Sequence, residues 1–289
     1  MKRRPRRLAL VPAGLFGLFG LLALGCASGP VNPSFPLDRQ AASAELRAMA
    51  ADRRPLARPV LVLGGYLDPG PMVGTTAMMM RRCVSNPAWV VPITTTGCGS
   101  FEASCAHVRR TLGLRLGLDA GTTVEVDVVG ISMGGLVGRS LRLPATTDDG
   151  GPTVVLERLF TISTPHRGAG MASLPAMDPV ARAMRPDSDF LARLDAEAPA
   201  DEHTFAYARL GDRIVGTERC APAGRGVWWV ATPAFSLAHI DAHRDPRVLA
   251  DILRRLRGET PYATDPPAAL PGAAAGDSGS PAAQKTDSI

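Results

Sequence analysis

The chain has 289 residues, 45% hydrophobic and 20% charged, which is enough apolar material for one domain with an ample core. Its formal net charge of +5 equals the contribution of Lys2, Arg3, Arg4, Arg6 and Arg7, in a first segment that holds no acid, so the remainder is close to neutral. With no basic stripe and no interleaved aromatics, the composition argues against a nucleic-acid partner.

In chain order, residues 1–25 combine that basic start with an apolar run from Leu8 to Leu24, too short and too poorly flanked for a membrane span, and predict an export signal. Its end, Leu22-Ala23-Leu24-Gly25-Cys26, resembles the lipobox of bacterial lipoproteins, with Ala23 where that family usually has Leu. The resemblance implies that Cys26 is acylated and holds the mature chain on a membrane of the cell envelope; if the lipobox is unused, a secreted protein results. Residues 26–40, with three prolines, read as the lipidated cysteine and a tether. Residues 41–258 read as one domain opening on an Ala-rich helical stretch, without internal repeats, and residues 259–289, rich in Pro, Ala, Gly and Ser, as a disordered tail.

Within the domain, apolar runs at Pro59–Leu63, Trp89–Thr94, Val124–Val129, Arg158–Ser163, Thr204–Leu210 and Val227–Thr232 predict strands. Between them, helical patterns lie near Val73–Arg82, Glu102–Leu116, Met133–Leu143, Met177–Ala198 and Asp245–Leu256. This alternation predicts an α/β fold, a mostly parallel sheet of about six strands with helices on both faces. In such a sheet the ligand site lies at the carboxyl ends of the strands, and that rule sorts the polar residues.

The third run leads into Gly130-Ile131-Ser132-Met133-Gly134, a Gly-x-Ser-x-Gly pattern between a strand signal and a helix signal. There a serine sits on a strained turn with its hydroxyl lifted clear of the sheet, and the helix beyond it aims N–H groups at charge developing nearby. Gly130 and Gly134 permit the turn, and Gly135 permits close packing of the helix.

A serine hydroxyl needs a base, and the base needs an acid to orient it. Of the five histidines, His107 lies in a helical pattern and His203 precedes a strand, whereas His166, His239 and His243 follow strands. His239 lies in the loop after the last strand, ahead of Asp245-Pro246, an N-cap and N1 pair for the closing helix, and is the candidate base. Asp212, directly after the fifth strand, is the candidate acid, with Asp178 as its competitor. The loop after the first strand, Gly64-Gly65-Tyr66-Leu67, is glycine-rich where an oxyanion donor would lie, so the backbone N–H groups of Tyr66 and Met133 are the candidate pair.

These motifs together give Pro59–Leu256 a resemblance to the small bacterial lipases and esterases of the α/β-hydrolase superfamily. Gly64-Gly65 stands for the His-Gly oxyanion motif, Gly130–Gly134 for Gly-His-Ser-Met-Gly, and Thr164-Pro165-His166-Arg167-Gly168 for the Thr-Pro-His-x-Gly loop. Gly211-Asp212-Arg213-Ile214-Val215 resembles the segment carrying the acid, and His239–Val248 the histidine loop. Gly64 and Ile131 both replace the family's histidines, at positions that supply no catalytic side chain there, which weakens the substrate assignment alone. The resemblance implies an α/β-hydrolase fold and cleavage of small-molecule or lipid carboxylic esters by Ser132, His239 and Asp212 without a cofactor. An acyltransferase on the same residues, or a decayed domain kept for binding, are the alternatives.

Four cysteines follow Cys26: Cys83, Cys98, Cys105 and Cys220. In an exported protein an even number predicts two disulfides, with three connectivities open. No Cys-x-x-Cys or paired-histidine spacing points to a metal. Met171, Leu174, Met177, Val180 and Phe190 are candidates for an apolar acyl site, and equally for ordinary core.

Overall fold

A computed structural model of the chain describes residues 29–145, 150–170 and 178–272. Among them, six strands form one sheet in the order β2-β1-β3-β4-β5-β6: β1 Val60–Leu63, β2 Val90–Ile93, β3 Thr123–Ile131, β4 Thr153–Ile162, β5 Thr204–Arg209 and β6 Trp228–Val230. Every pairing is parallel, so the sheet is all-parallel where a mostly parallel one was expected. The export signal, Cys26, Met171, Leu174 and Met177 lie outside the described residues.

The alternation of side chains along each strand divides the core in two. In β1, Val60 and Val62 join a cluster with Met49 of α1 (Arg39–Ala51), Val73, Ala77 and Met80 of α2 (Pro71–Arg81) and Ile252 and Leu256 of α7 (Pro246–Leu256). Leu61 and Leu63 face the other way, toward Val108 and Leu112 of α3 (Phe101–Leu116) and Leu136 and Val137 of α4 (Met133–Ser140). A strand covered on both faces must be apolar at every position, which is why β1 reads Val-Leu-Val-Leu and is buried throughout. The chain passes from β1 out to β2 and back across β1 to β3, so the order reverses between β1 and β3, and their carboxyl ends border the crevice where a ligand binds in such sheets.

Several boundaries differ from expectation. β4 begins at Thr153, five residues early: its first half, Thr-Val-Val-Leu-Glu, pairs with the exposed start of β3 and is itself only partly covered. The helix expected over 177–198 is two, α5 (Pro179–Ala183) and α6 (Asp189–Glu197), parted at Pro186, which has no N–H to donate and disfavours helix at Arg185. The domain also exceeds 41–258 at both ends. Phe35 is buried in the core, and residues 260–272, expected in the tail, pack as well: Ala263 is buried, and Tyr262 and Ala263 donate backbone N–H groups to Asp251 at 2.5 and 2.8 Å. Trp228 Nε1 donates to Thr264 O at 3.0 Å and Trp229 Nε1 to Ala268 O at 3.1 Å, so that segment satisfies buried polar groups that would otherwise be stranded.

The two expected disulfides are absent: no bond joins Cys83, Cys98, Cys105 and Cys220. Cys83 lies in the cluster beneath α1, α2 and α7, Cys105 on the opposite face of the sheet, and Cys220 in a third cluster near β5, so these three are walled off from one another by the core.

Candidate active site

β3 ends at Ile131 and α4 starts at Met133, leaving Ser132 alone to reverse the chain. It does so at φ 51°, ψ −122°, a backbone conformation that L-residues hold only when the surroundings impose it. The neighbours show how it is imposed. Ser132 N–H donates to Ile162 O at 2.8 Å, and Ser132 O accepts from Gly135 N–H at 3.0 Å and from Thr164 Oγ1 at 2.8 Å. A Cβ on Gly130 would strike the backbone of Gly135, one on Gly134 the Leu63 carbonyl, and one on Gly135 the Thr164 side chain, so all three glycines are sterically required.

His239 reaches this serine from the loop after β6. Its Nε2 lies 3.1 Å from Ser132 Oγ, and its Nδ1 lies 2.8 Å from Asp212 Oδ2. Asp212 Oδ1 accepts the N–H groups of Ile214 and Val215, each at 3.0 Å. Burial alone would raise the Asp212 carboxyl, but the His239 hydrogen bond and charge and the two backbone donors outweigh it and hold it below the usual carboxylate range. An ionised Asp212 keeps the proton on Nδ1 and leaves Nε2 free to accept the serine proton. Ser132 is only half-buried, so the hydroxyl is reachable from solvent.

The loop after β1 passes beside the serine, where a Cβ on Gly65 would stand 3.3 Å from Ser132 Cβ. Among the described residues, neither the Tyr66 nor the Met133 N–H has an acceptor, which is the condition for a pair of donors waiting for an anion. Asp68 fixes the loop: its carboxylate takes N–H groups of Gly70, Met72 and Val73 at 2.9, 3.2 and 3.0 Å, and its carbonyl accepts from the Thr94 and Thr96 hydroxyls.

The competitors are placed elsewhere. Asp178 caps α5, takes the Val180 N–H at 2.7 Å and accepts from the Tyr66 hydroxyl at 2.8 Å; its bonds fall on that side of the cleft, away from His239. His243 is buried, donates Nδ1–H to Ile240 O at 2.7 Å, and has its pKa lowered, mainly by burial. His166 is fully buried against Thr161 Oγ1 at 3.1 Å, and burial depresses its pKa to about 3, so it stays neutral. Val180 joins the cluster against α3, and Phe190 stacks on Phe101 with centroids 4.0 Å apart, which favours the packing role of these two residues over an acyl site.

One supporting group has no motif of its own. Arg209, at the end of β5 and three residues before Asp212, is buried and donates Nε–H to Asp245 Oδ2 at 2.8 Å and Nη1–H to Ser236 Oγ at 2.7 Å. It therefore grips the histidine loop on both sides of His239, while Ser236 Oγ donates onward to Asp241 at 2.7 Å and Arg247 shares Asp245. Asp245 is readable from sequence as the cap of α7; that Arg209 meets it is a consequence of β5 and β6 being neighbours.

No protein-family model matches the chain, and no curated protein matches it. Among solved structures, the crystal structure of the gene lin2722 product of Listeria innocua is similar, with a TM-score of 0.47 at 16% identity over 72% of this chain and 96% of that one. The all-parallel sheet and its helices themselves define the α/β class.

Proposed function

We propose that this chain is a serine hydrolase that cleaves carboxylic esters through an acyl-enzyme. The observation that carries the reading is the unbroken chain from Asp212 through His239 to a serine held at positive φ beside two N–H groups that find no acceptor among the described residues. Elements of the reaction follow from that arrangement. His239 Nε2 removes the Ser132 proton as Oγ attacks the carbonyl carbon, and the carbonyl oxygen becomes an anion facing the Tyr66 and Met133 N–H groups. Asp212 stabilises the imidazolium that forms. Collapse breaks the bond to the alcohol oxygen, which takes the proton from His239, and the same base then activates water to hydrolyse the acyl-enzyme.

The test is labelling by a fluorophosphonate, which phosphorylates an activated serine. Wild-type protein should label on Ser132, Ser132→Ala should not, and only the former should hydrolyse a soluble short-chain ester. Absence of both labelling and hydrolysis in the folded wild type would refute the reading.

The lipobox-like run ending at Cys26 supports export and attachment to a membrane of the cell envelope. Cys26→Ser should move the protein into the soluble fraction in detergent-free fractionation; unchanged membrane association would remove this part.

A further inference from the structure

Two loops flank Ser132, one after β1 and one after β6, and both expose large apolar side chains. Leu67 is 64% exposed, Leu237 65% and Ile240 40%, and Phe235 is fully exposed. Scattered exposed leucines need no explanation, but a rim of them around one crevice does. Leu67 and Phe235, one on each loop, are moreover both held at positive φ, 57° and 59°. A bulky residue adopts that backbone only under constraint, and here both constrained residues point apolar side chains at solvent. The loop tip with Phe235 is not slack: Asp241 accepts from Ser236 Oγ at 2.7 Å and from Leu237 N–H at 2.9 Å, and Arg209 holds Ser236 from below.

The contacts of Gly29 and Asn32 point to the partner. A Cβ on Gly29 would stand 2.8 Å from Ala231 Cβ, and Asn32 Nδ2 donates to Trp229 O at 2.8 Å. Ala231 follows β6 directly, so residue 29 sits at the carboxyl edge of the sheet, the edge that carries Ser132, Leu67 and Phe235. Cys26 is three residues earlier, a separation of at most about 10 Å for an extended chain.

We propose that this edge is the face the protein lays against a phospholipid bilayer, with Leu67, Phe235, Leu237 and Ile240 seated among the acyl chains and Ser132 opening toward the membrane. This inference deepens the ester-hydrolase reading and rests on it for one consequence: the ester is drawn from the membrane. This orientation rests also on the anchoring reading: a lipid on Cys26 would hold the correct edge inward, because so short a connection cannot let the amino edge turn to the surface instead.

The experiment uses the full chain reconstituted in phosphatidylcholine vesicles with brominated acyl chains, which quench tryptophan within the bilayer. Phe235→Trp reports on the proposed face and Leu114→Trp, exposed near the far end of α3, on the opposite edge. The native signal of buried Trp228 and Trp229 and of Trp89 at the amino edge is subtracted. Quenching of Trp at 235 and not at 114 is expected. Quenching of both, of neither, or of 114 alone overturns the orientation. In a second arm, Phe235→Ser should lower hydrolysis of a vesicle-embedded ester by about tenfold relative to a soluble short-chain ester, from the loss of one buried aromatic contact. Equal losses on both esters overturn the docking role. If wild type cleaves neither ester, the hydrolase reading fails while the quenching pattern still decides the orientation.

Discussion

Two histidines four residues apart occupy the same loop, and replacing each in turn separates catalysis from packing. His239→Ala removes the group 3.1 Å from Ser132 Oγ and leaves water as the only proton acceptor. Loss of one member of such a triad costs about 10³ or more in rate, equivalent to about 4 kcal/mol of barrier. The fold should survive at some cost: Asp212 Oδ2 loses its partner, but Oδ1 keeps both backbone donors and the gap opens at the edge of the crevice. His243→Ala is the opposite case. It empties a buried site and strips the Ile240 carbonyl of its donor at 2.7 Å, which together cost about 2–4 kcal/mol of stability. Against a typical reserve of roughly 5–15 kcal/mol the variant stays mostly folded, so its rate should fall less than about tenfold. The assay is kcat/KM on a soluble chromogenic ester, with thermal melting by circular dichroism on the same samples. A folded His239→Ala that keeps its activity while His243→Ala loses it would refute the base assignment, and full activity in both would refute the triad.

Arg209→Gln should release the histidine loop from below and leave Asp245 to Arg247 alone; breaking a buried ion pair in this way costs about 3–5 kcal/mol, and kcat on the soluble ester should fall with KM little changed. Unchanged melting and kcat would dismiss Arg209 as a positioning residue. Asp241 is held down to about 2, chiefly by the Ser236 hydroxyl, then by the Leu237 N–H and by Arg244. Because its folded pKa lies below the unfolded value, its stabilisation is complete above the ordinary carboxylate range, about 3.9, and is lost as pH falls toward 2. Asp241→Asn should therefore flatten that part of the acid unfolding profile, and an identical profile would contradict the assignment. Unfolded protein that has never met reductant should alkylate at Cys83, Cys98 and Cys220, read by peptide mass; protection of any of these would restore a disulfide.

Much of the fold was legible in the chain because its signals are local. A strand buried on both faces must be apolar throughout, so β1 and the second half of β3 announce themselves, and a reversal on one residue needs glycine on both sides of Ser132. Asp245-Pro246 marks the start of α7 for the same kind of reason, a cap and a missing N–H one residue apart. What stayed hidden depends on which elements become neighbours. The chain did not reveal that Arg209 meets Ser236 and Asp245, that Thr164 braces the serine turn from the loop after β4, or that Tyr66 reaches Asp178, since each pairing spans between 27 and 112 residues. Composition misled at the carboxyl end, where a Pro- and Ala-rich stretch orders because Asp251, Trp228 and Trp229 need its backbone. It misled equally for the cysteines, since an even count is a property of the chain but bridging requires two sulfurs on the same side of a sheet, and only the tertiary structure set Cys83 and Cys105 on opposite faces.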